Sequence, residues 1–247
     1  MHRASPYSLL LAIALLAPAC GGDDSGDGDD GTSGVDAGDG GGGADASAEC
    51  VETDVLPAEY RPVASVSSGA VTATPEGDVT VAVIDATAGG MMGQAENPYL
   101  YIDLAAGTKV EIDDVAALTS SDWDVAFKRP SIRINGGDSG PGEVAHAVVE
   151  ADSLDKVTEA PADAEFGADD WVSDGCEFQR LPGGEPNTAF GEWYDYDDMN
   201  HTLTPKGEVH VLRSRSGDLF KLAIESYYAD EADPTRGGVY QVSWAPL

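Results

Sequence analysis

Few side chains in this sequence could do chemistry, and they fall into two groups. The first surrounds Ser139, which stands in the run Gly137–Asp138–Ser139–Gly140–Pro141. A serine hydroxyl is a weak nucleophile unless a histidine takes its proton and a carboxylate orients that histidine. Only His2 precedes Ser139 among the histidines, so the remaining arrangement is a Ser139–His146 dyad on neighbouring strands. A glycine-rich turn ending a strand accounts for the same residues without any chemistry. The GxSxG, P-loop and HExxH patterns are missing. The second group consists of soft and nitrogen donors: His146, His201 and His210, with Met91, Met92 and Met199, and three cysteines at 20, 50 and 176. The cysteines have neither CxxC nor Cys/His zinc spacing. His210 alternates with Val209 and Val211 as a packed strand residue does, and Met91–Met92 sit between glycines, where a flexible gap-filler serves. Met199 and His201 stand apart because they follow the aromatic segment Trp193–Tyr194–Asp195–Tyr196.

The elements that must position these residues read as strands. Residues 79–84 are rich in β-branched side chains, and 99–104 follow an Asn-Pro break. Alternation of apolar and polar residues marks 109–112, 122–128, 131–135 and 146–150. Residues 208–213 turn through 214–218 into 219–225 as a hairpin, and 239–244 form a last strand. Only 114–119 and 161–170 suit helical turns. Short alternating runs bounded by Gly, Pro, Asn and Asp predict an all-β, mostly antiparallel single domain over about 50–247.

Two other materials precede that domain. Arg3 is followed by an apolar run at 9–16, at about eight residues too short for a helix that must span roughly twenty. A charged start, a short apolar core and small residues at the exit predict a secretory signal over 1–19. The exit, Leu16–Ala17–Pro18–Ala19–Cys20, resembles a bacterial lipobox, with Ala17 where leucine is commonest, and predicts lipid on Cys20. Gly21, not an acidic residue, favours the outer membrane as destination. An unlipidated signal is the alternative. Residues 21–49 hold eleven Gly, eight Asp and one Glu and lack Lys, Arg and aromatic residues. Such a segment cannot bury enough apolar surface to offset its ordering entropy, which predicts an acidic tether over 20–49. Asp27–Gly28–Asp29–Asp30–Gly31 lacks the alternating ligands and closing Glu of a calcium loop.

With Cys20 lipidated, Cys50 and Cys176 remain as an even pair in an exported protein, which predicts a disulfide. Closing a loop of more than about a hundred residues is worth about 4–5 kcal/mol in the chain-entropy account. Two buried thiols are the alternative. The whole chain has 13 Lys plus Arg against 45 Asp plus Glu, a formal charge of −32. That balance excludes a phosphate-neutralising face for nucleic acid and a polybasic face for anionic lipid.

Three blocks of residues then spell a pattern. The first is Ser121–Asp122–Trp123–Asp124–Val125–Ala126–Phe127–Lys128–Arg129 with Ile132–Arg133–Ile134–Asn135–Gly136–Gly137. The second is Trp193–Tyr194–Asp195–Tyr196, His201–Thr202–Leu203–Thr204–Pro205 and Val209–His210–Val211–Leu212–Arg213. The third is Lys221–Leu222–Ala223–Ile224–Glu225–Ser226–Tyr227–Tyr228, ending in Tyr240–Gln241–Val242–Ser243–Trp244. Over about 78–247 the chain resembles the HmuY-like lipoproteins. The resemblance implies an exported, β-rich, lipid-anchored protein that binds haem or a related tetrapyrrole at the outer membrane or cell surface. It implies no catalysis, and a receptor as partner. It places one axial ligand a few residues after Trp193, where Asp197–Asp198 stand and Met199 and His201 follow. The second ligand falls in the stretch matching 165–190, which has Cys176 but neither His nor Met. Met199 and His201 are therefore the expected haem-iron ligands, His or Met being what such an iron takes. Thioether sulfur prefers ferrous iron, and Asp195, Asp197 and Asp198 oppose the haem propionates. The other reading is a surface binding or adhesion module of the same fold without haem ligation.

Overall fold

A computed structural model describes residues 55–191, 193–230 and 233–247. The signal, Cys20, the acidic tether with its Asp27–Gly31 run, and Cys50 lie outside the described residues. In chain order the strands are β1 (Val71–Glu76), β2 (Val79–Asp85), β3 (Leu100–Asp103), β4 (Thr108–Val110), β5 (Val125–Lys128), β6 (Ser131–Ile134), β7 (Ala145–Val149), β8 (Tyr194–Asp197), β9 (Thr202–Pro205), β10 (Val209–Arg213), β11 (Leu219–Tyr228) and β12 (Gly237–Pro246). A four-residue helix, α1 (Asp114–Ala117), and short 3-10 turns, one at Asp163–Glu165, complete the described elements. The chain is β-rich with antiparallel pairing, as the alternation predicts.

Three sheets result. The largest runs β1-β2-β12-β11-β10-β7, the second β4-β3-β5-β6, and β8 pairs with β9 alone. The inward residues of the large sheet, among them Ile84, Tyr240, Val242, Trp244, Leu222 and Leu212, pack with Leu100, Ile102, Val125, Phe127, Ile132 and Ile134 of the second sheet in one buried cluster. Two antiparallel sheets thus face one another across an apolar core. Each fully buried aliphatic or aromatic side chain in that layer contributes about 1.5–3 kcal/mol of transfer free energy.

Both outer faces are also partly covered. Leu154 and Val157 close over Val209 and Val211, and α1 brings Ala117 against Tyr99, Tyr101 and Trp123. This is why β5, β6 and most of β10 are buried on both sides and look nearly continuous in their apolar character. Asp113 caps α1, its side chain accepting from the Ala116 amide at 2.8 Å.

Several boundaries differ from the expectation. The strand expected over 122–128 begins only at Val125. Trp123 and Asp124 are drawn off by tertiary bonds, the indole donating to the Ala117 carbonyl and the Asp124 carboxylate accepting from the Leu104 amide. β1 was not legible: its pattern is mostly exposed, and it pairs only with β2, at the sheet edge. β8 and β9 were not legible either, because their alternation is Tyr-Asp and Thr-Leu and they bury little.

The serine reading is corrected by packing. Ser139 is buried; its hydroxyl accepts from the Trp171 indole at 3.0 Å and also bonds the Asp169 carboxyl. Asp169 in turn accepts from the Ile134 and Ala189 amides, and burial pushes its carboxyl up to about 6. His146 points elsewhere: its Nε2 lies 2.9 Å from His210 Nδ1, and its other nitrogen bonds the Ala189 backbone. Ser139 and His146 therefore have different side-chain partners, their networks meeting only at the Ala189 backbone, and form no dyad. Met91 and Met92 lie exposed in the loop between β2 and β3.

Candidate functional site

Trp193 anchors the only sheet of the three that stands on its own hairpin. Its ring is buried, its indole nitrogen donates to the Pro130 carbonyl at 2.9 Å, and its carbonyl accepts from the Lys206 amide at 3.1 Å. Tyr194, Tyr227 and Tyr240 surround the ring with centroids 5.0, 5.9 and 5.4 Å away. On the far side the Leu203 amide donates to the Tyr228 hydroxyl at 2.8 Å. The base of the hairpin is thus fixed to the core by one buried indole and a ring of phenols.

From that base β8 and β9 run out in register, Tyr194 opposite Pro205 and Tyr196 opposite Leu203. Asp197 builds the tip. Its carboxylate accepts from the Met199 amide, the Asn200 amide and the Asn200 side chain at 2.8, 3.2 and 2.7 Å. Those bonds, the Asn200 side chain first, hold its carboxyl below the usual range. His201 closes the turn in the left-handed region, at φ +55°. Asp197 therefore has a structural use as the turn-former.

Tyr194 and Tyr196 lie two residues apart and so share one face of β8. That face forms one wall of a cleft of about 560 Å³, within the range of small-molecule sites. Pro182, Gly183 and Glu185 form the opposite wall, with Pro130 and Lys206 also lining it. Gly183 allows the close approach: a Cβ there would lie 2.4 Å from Glu185 Oε2 and 3.2 Å from the Tyr194 hydroxyl, and the carboxylate end would have to shift. Glu185 Oε1 accepts from the Tyr194 hydroxyl at 3.1 Å, while Oε2 is buried without a partner.

The sequence-predicted residues are placed as follows. Met199 is 88% exposed at the hairpin tip and does not line the cleft. His201 is exposed beside it, its Nδ1 2.8 Å from the Tyr196 hydroxyl, and it too is not part of the lining. The stretch 165–190 supplies the opposite wall but, as read, no His or Met. Cys176 sits in a turn of that stretch at φ +59°, its amide donating to the Ser173 carbonyl. Among the described residues no group of three or more His, Cys, Asp or Glu side chains is arranged to hold a metal ion. Sequence reasoning missed Glu185, Lys206 and the inward face of Tyr196. The period-2 spacing of Tyr194 and Tyr196 is the signal that could have found the last of these.

The residues present fit a tetrapyrrole. Tyr194, Tyr196, Pro130, Pro182 and Leu203 offer flat and apolar contacts and Lys206 offers a cation for propionates, against the carboxylates of Glu185, Asp195 and Asp198 in the same lining.

Comparison with known proteins gives a consistent result. The sequence matches the HmuY protein family over residues 95–240. An HmuY-like heme binding protein from Bacteroides vulgatus has a similar structure, with a TM-score of 0.50 at 15% identity, covering 72% of this chain and 96% of that one. A lipoprotein from Bacteroides fragilis aligns with a TM-score of 0.49 at 18% identity, covering 71% and 94%. No curated protein matches the chain.

Proposed function

Because the chain belongs to the HmuY protein family, we propose that it is a carrier that captures haem or a related tetrapyrrole in the cleft beside the β8–β9 hairpin. The observation that carries the reading is the cleft itself, walled by Tyr194 and Tyr196 with Lys206 at its edge. A porphyrin is a large flat apolar ring with two carboxylates, and aromatic walls with a nearby cation complement that chemistry. When bound, the haem would supply an iron able to take a side-chain donor; this chain would supply the walls, the cation and the donor. The donor comes from the β8–β9 hairpin, which carries Tyr196, Met199 and His201.

In this reading the protein is exported by residues 1–19, anchored to the outer membrane by lipid on Cys20, and held clear of the headgroups by the acidic tether. An outer-membrane receptor receives the cargo. Two or three acyl chains hold it firmly, each buried CH₂ adding about 0.8 kcal/mol. Mass spectrometry of the mature N-terminus checks this: acylated Cys20 is expected, and an unmodified start elsewhere removes the anchor. Cys50 pairs with Cys176, a pairing supported by the even count of cysteines that remains once Cys20 carries lipid.

Titration of the full mature chain with ferric haem tests the function, a shifted Soret band being the expected result. A second reading has one observation in its favour: Glu185, Asp195 and Asp198 crowd the cleft with negative charge. In that reading the fold serves as a surface binding or adhesion module without haem. Absence of any Soret shift in either redox state selects it.

A further inference from the structure

The geometry points to Tyr196 as the residue that binds the iron of a ferric haem, with His201 as the positioning residue that holds and deprotonates its phenol; this rests on the haem reading above. Three donors stand on the hairpin, and the structure separates them. Met199 is held at the tip by its amide bond to Asp197, with its side chain 88% exposed and outside the cleft lining. His201 is outside the lining as well. Tyr196 lines the cleft, is 51% exposed, and keeps its hydroxyl 2.8 Å from His201 Nδ1.

The chemistry of that pair suits ferric iron. In the His201 tautomer with Nδ1 unprotonated, the Tyr196 phenol donates to that nitrogen and has an acceptor ready for its proton at the moment the oxygen coordinates. The O–H bond of Tyr196 breaks, an iron–oxygen bond forms, the proton passes to Nδ1 of His201, and no electron moves. The imidazolium then donates back to the coordinated oxygen, which fixes its orientation as an outer-shell partner does. Phenolate oxygen is a hard donor that favours the ferric state, and tyrosinate is a known haem ligand type.

Tyr194, on the same face, is excluded from this role. Its hydroxyl is already committed to the Glu185 carboxylate at 3.1 Å. Its place is therefore in the wall. The acid of the hairpin also acquires a sense. Asp195, Asp197 and Asp198 oppose the propionates, but they favour a ferric porphyrin core, whose iron leaves it with net positive charge.

The test uses the full mature chain with three probes: ferric haem, haem reduced by dithionite, and metal-free protoporphyrin. Wild type is expected to bind ferric haem with a phenolate-to-iron charge-transfer band and the matching resonance Raman phenolate modes, and to weaken on reduction. Tyr196→Phe should lose the band and drop ferric affinity by more than the roughly 10–100-fold that an outer-shell change costs. His201→Ala should keep the band but bind about 10–100-fold more weakly. Met199→Ala should match wild type. Metal-free protoporphyrin should bind wild type and Tyr196→Phe equally, which also shows that the variant's cleft is intact. A wild-type ferric spectrum that survives Tyr196→Phe, or that disappears only in Met199→Ala or with the band lost only in His201→Ala, overturns the assignment while the haem reading stands. Failure of wild type to bind any of the three probes overturns the haem reading itself.

Discussion

Two histidine pairs in this molecule have almost the same bond and opposite circumstances. His146 and His210 meet at 2.9 Å inside the core, stacked with Phe190, at 3% and 1% exposure. His201 and Tyr196 meet at 2.8 Å on an exposed hairpin. In the buried pair both rings have protein partners: His146 bonds the Ala189 backbone, and its Nε2 and His210 Nδ1 share one proton between them. Burial lowers the His146 ring to about 4 and pushes His210 well below the usual range, so both stay neutral at pH 7. Such a pair cannot exchange a proton with a ligand because no ligand reaches it. The hairpin pair has the same hydrogen-bond length but opens onto a cleft. Reactivity here follows access rather than residue type.

The largest effect should come from cutting the hairpin pair off its anchor. Trp193→Ala removes a buried indole that ties the hairpin to Pro130 and the Tyr227–Tyr240 ring contacts. A loss of about 3–5 kcal/mol in denaturant melts is expected, as for other buried Trp truncations. Porphyrin binding should fall with it, even though Trp193 does not line the cleft.

Acid should distinguish the two pairs next. A histidine whose folded value lies below its unfolded one contributes stability that is complete above the unfolded value and is lost as pH falls towards the folded one. For His146 that window runs from 6.5 down to about 4. The shift corresponds to roughly 3 kcal/mol from this ring alone. Asp169 works the other way, since its raised carboxyl stabilises the fold as pH falls through about 6. The comparison that isolates the histidines is wild type against His146→Phe/His210→Leu. Between pH 7 and pH 4 the double variant should lose less stability than wild type by more than the roughly 3 kcal/mol of His146 alone, since His210 adds its own share, read by chemical denaturation at each pH. Equal slopes would mean that the buried pair is not held neutral.

A smaller and purely local change is expected at the hairpin tip. Asp197→Ala removes the three acceptor bonds that shape the turn around Met199 and Asn200. Hydrogen exchange at the Met199 and Asn200 amides should speed up while the global melt stays in place. The smallest effect belongs to Tyr196→Phe in the ligand-free protein. An exposed side chain away from caps and core changes stability by no more than about 0.5 kcal/mol. A large destabilisation there would make the Tyr196–His201 bond a structural device and remove the contrast with the core pair.

Legibility in the sequence followed the same division between near and far. Strands such as β2, β10 and β11 announce themselves because their side chains alternate between a buried and an open face, and that period is a property of neighbouring residues. The expectations of an export signal, a tether and a cysteine pair are compositional and need no fold to be made. β8 and β9 escaped because their alternation is polar and half-open, which sequence periodicity does not separate from a loop. Met199 and His201 were picked out as donor types near Trp193; the inward face of Tyr196 was not, because which side of β8 meets the cleft depends on the wall at 182–185.

By itself, then, the sequence determined the β architecture, the acidic charge, the exported character expected of its first twenty residues and the family to which the domain belongs. Tertiary structure decided which donors meet. It set β2 beside β12 across more than half the described chain, buried His146 with His210, took Ser139 into a network with Trp171 and Asp169, and turned Tyr196 toward both His201 and the cleft. The reason is physical. Alternation and composition are local quantities summed along the chain. Burial, proton sharing and the shape of a cleft depend on residues that become neighbours only when the sheets close on one another.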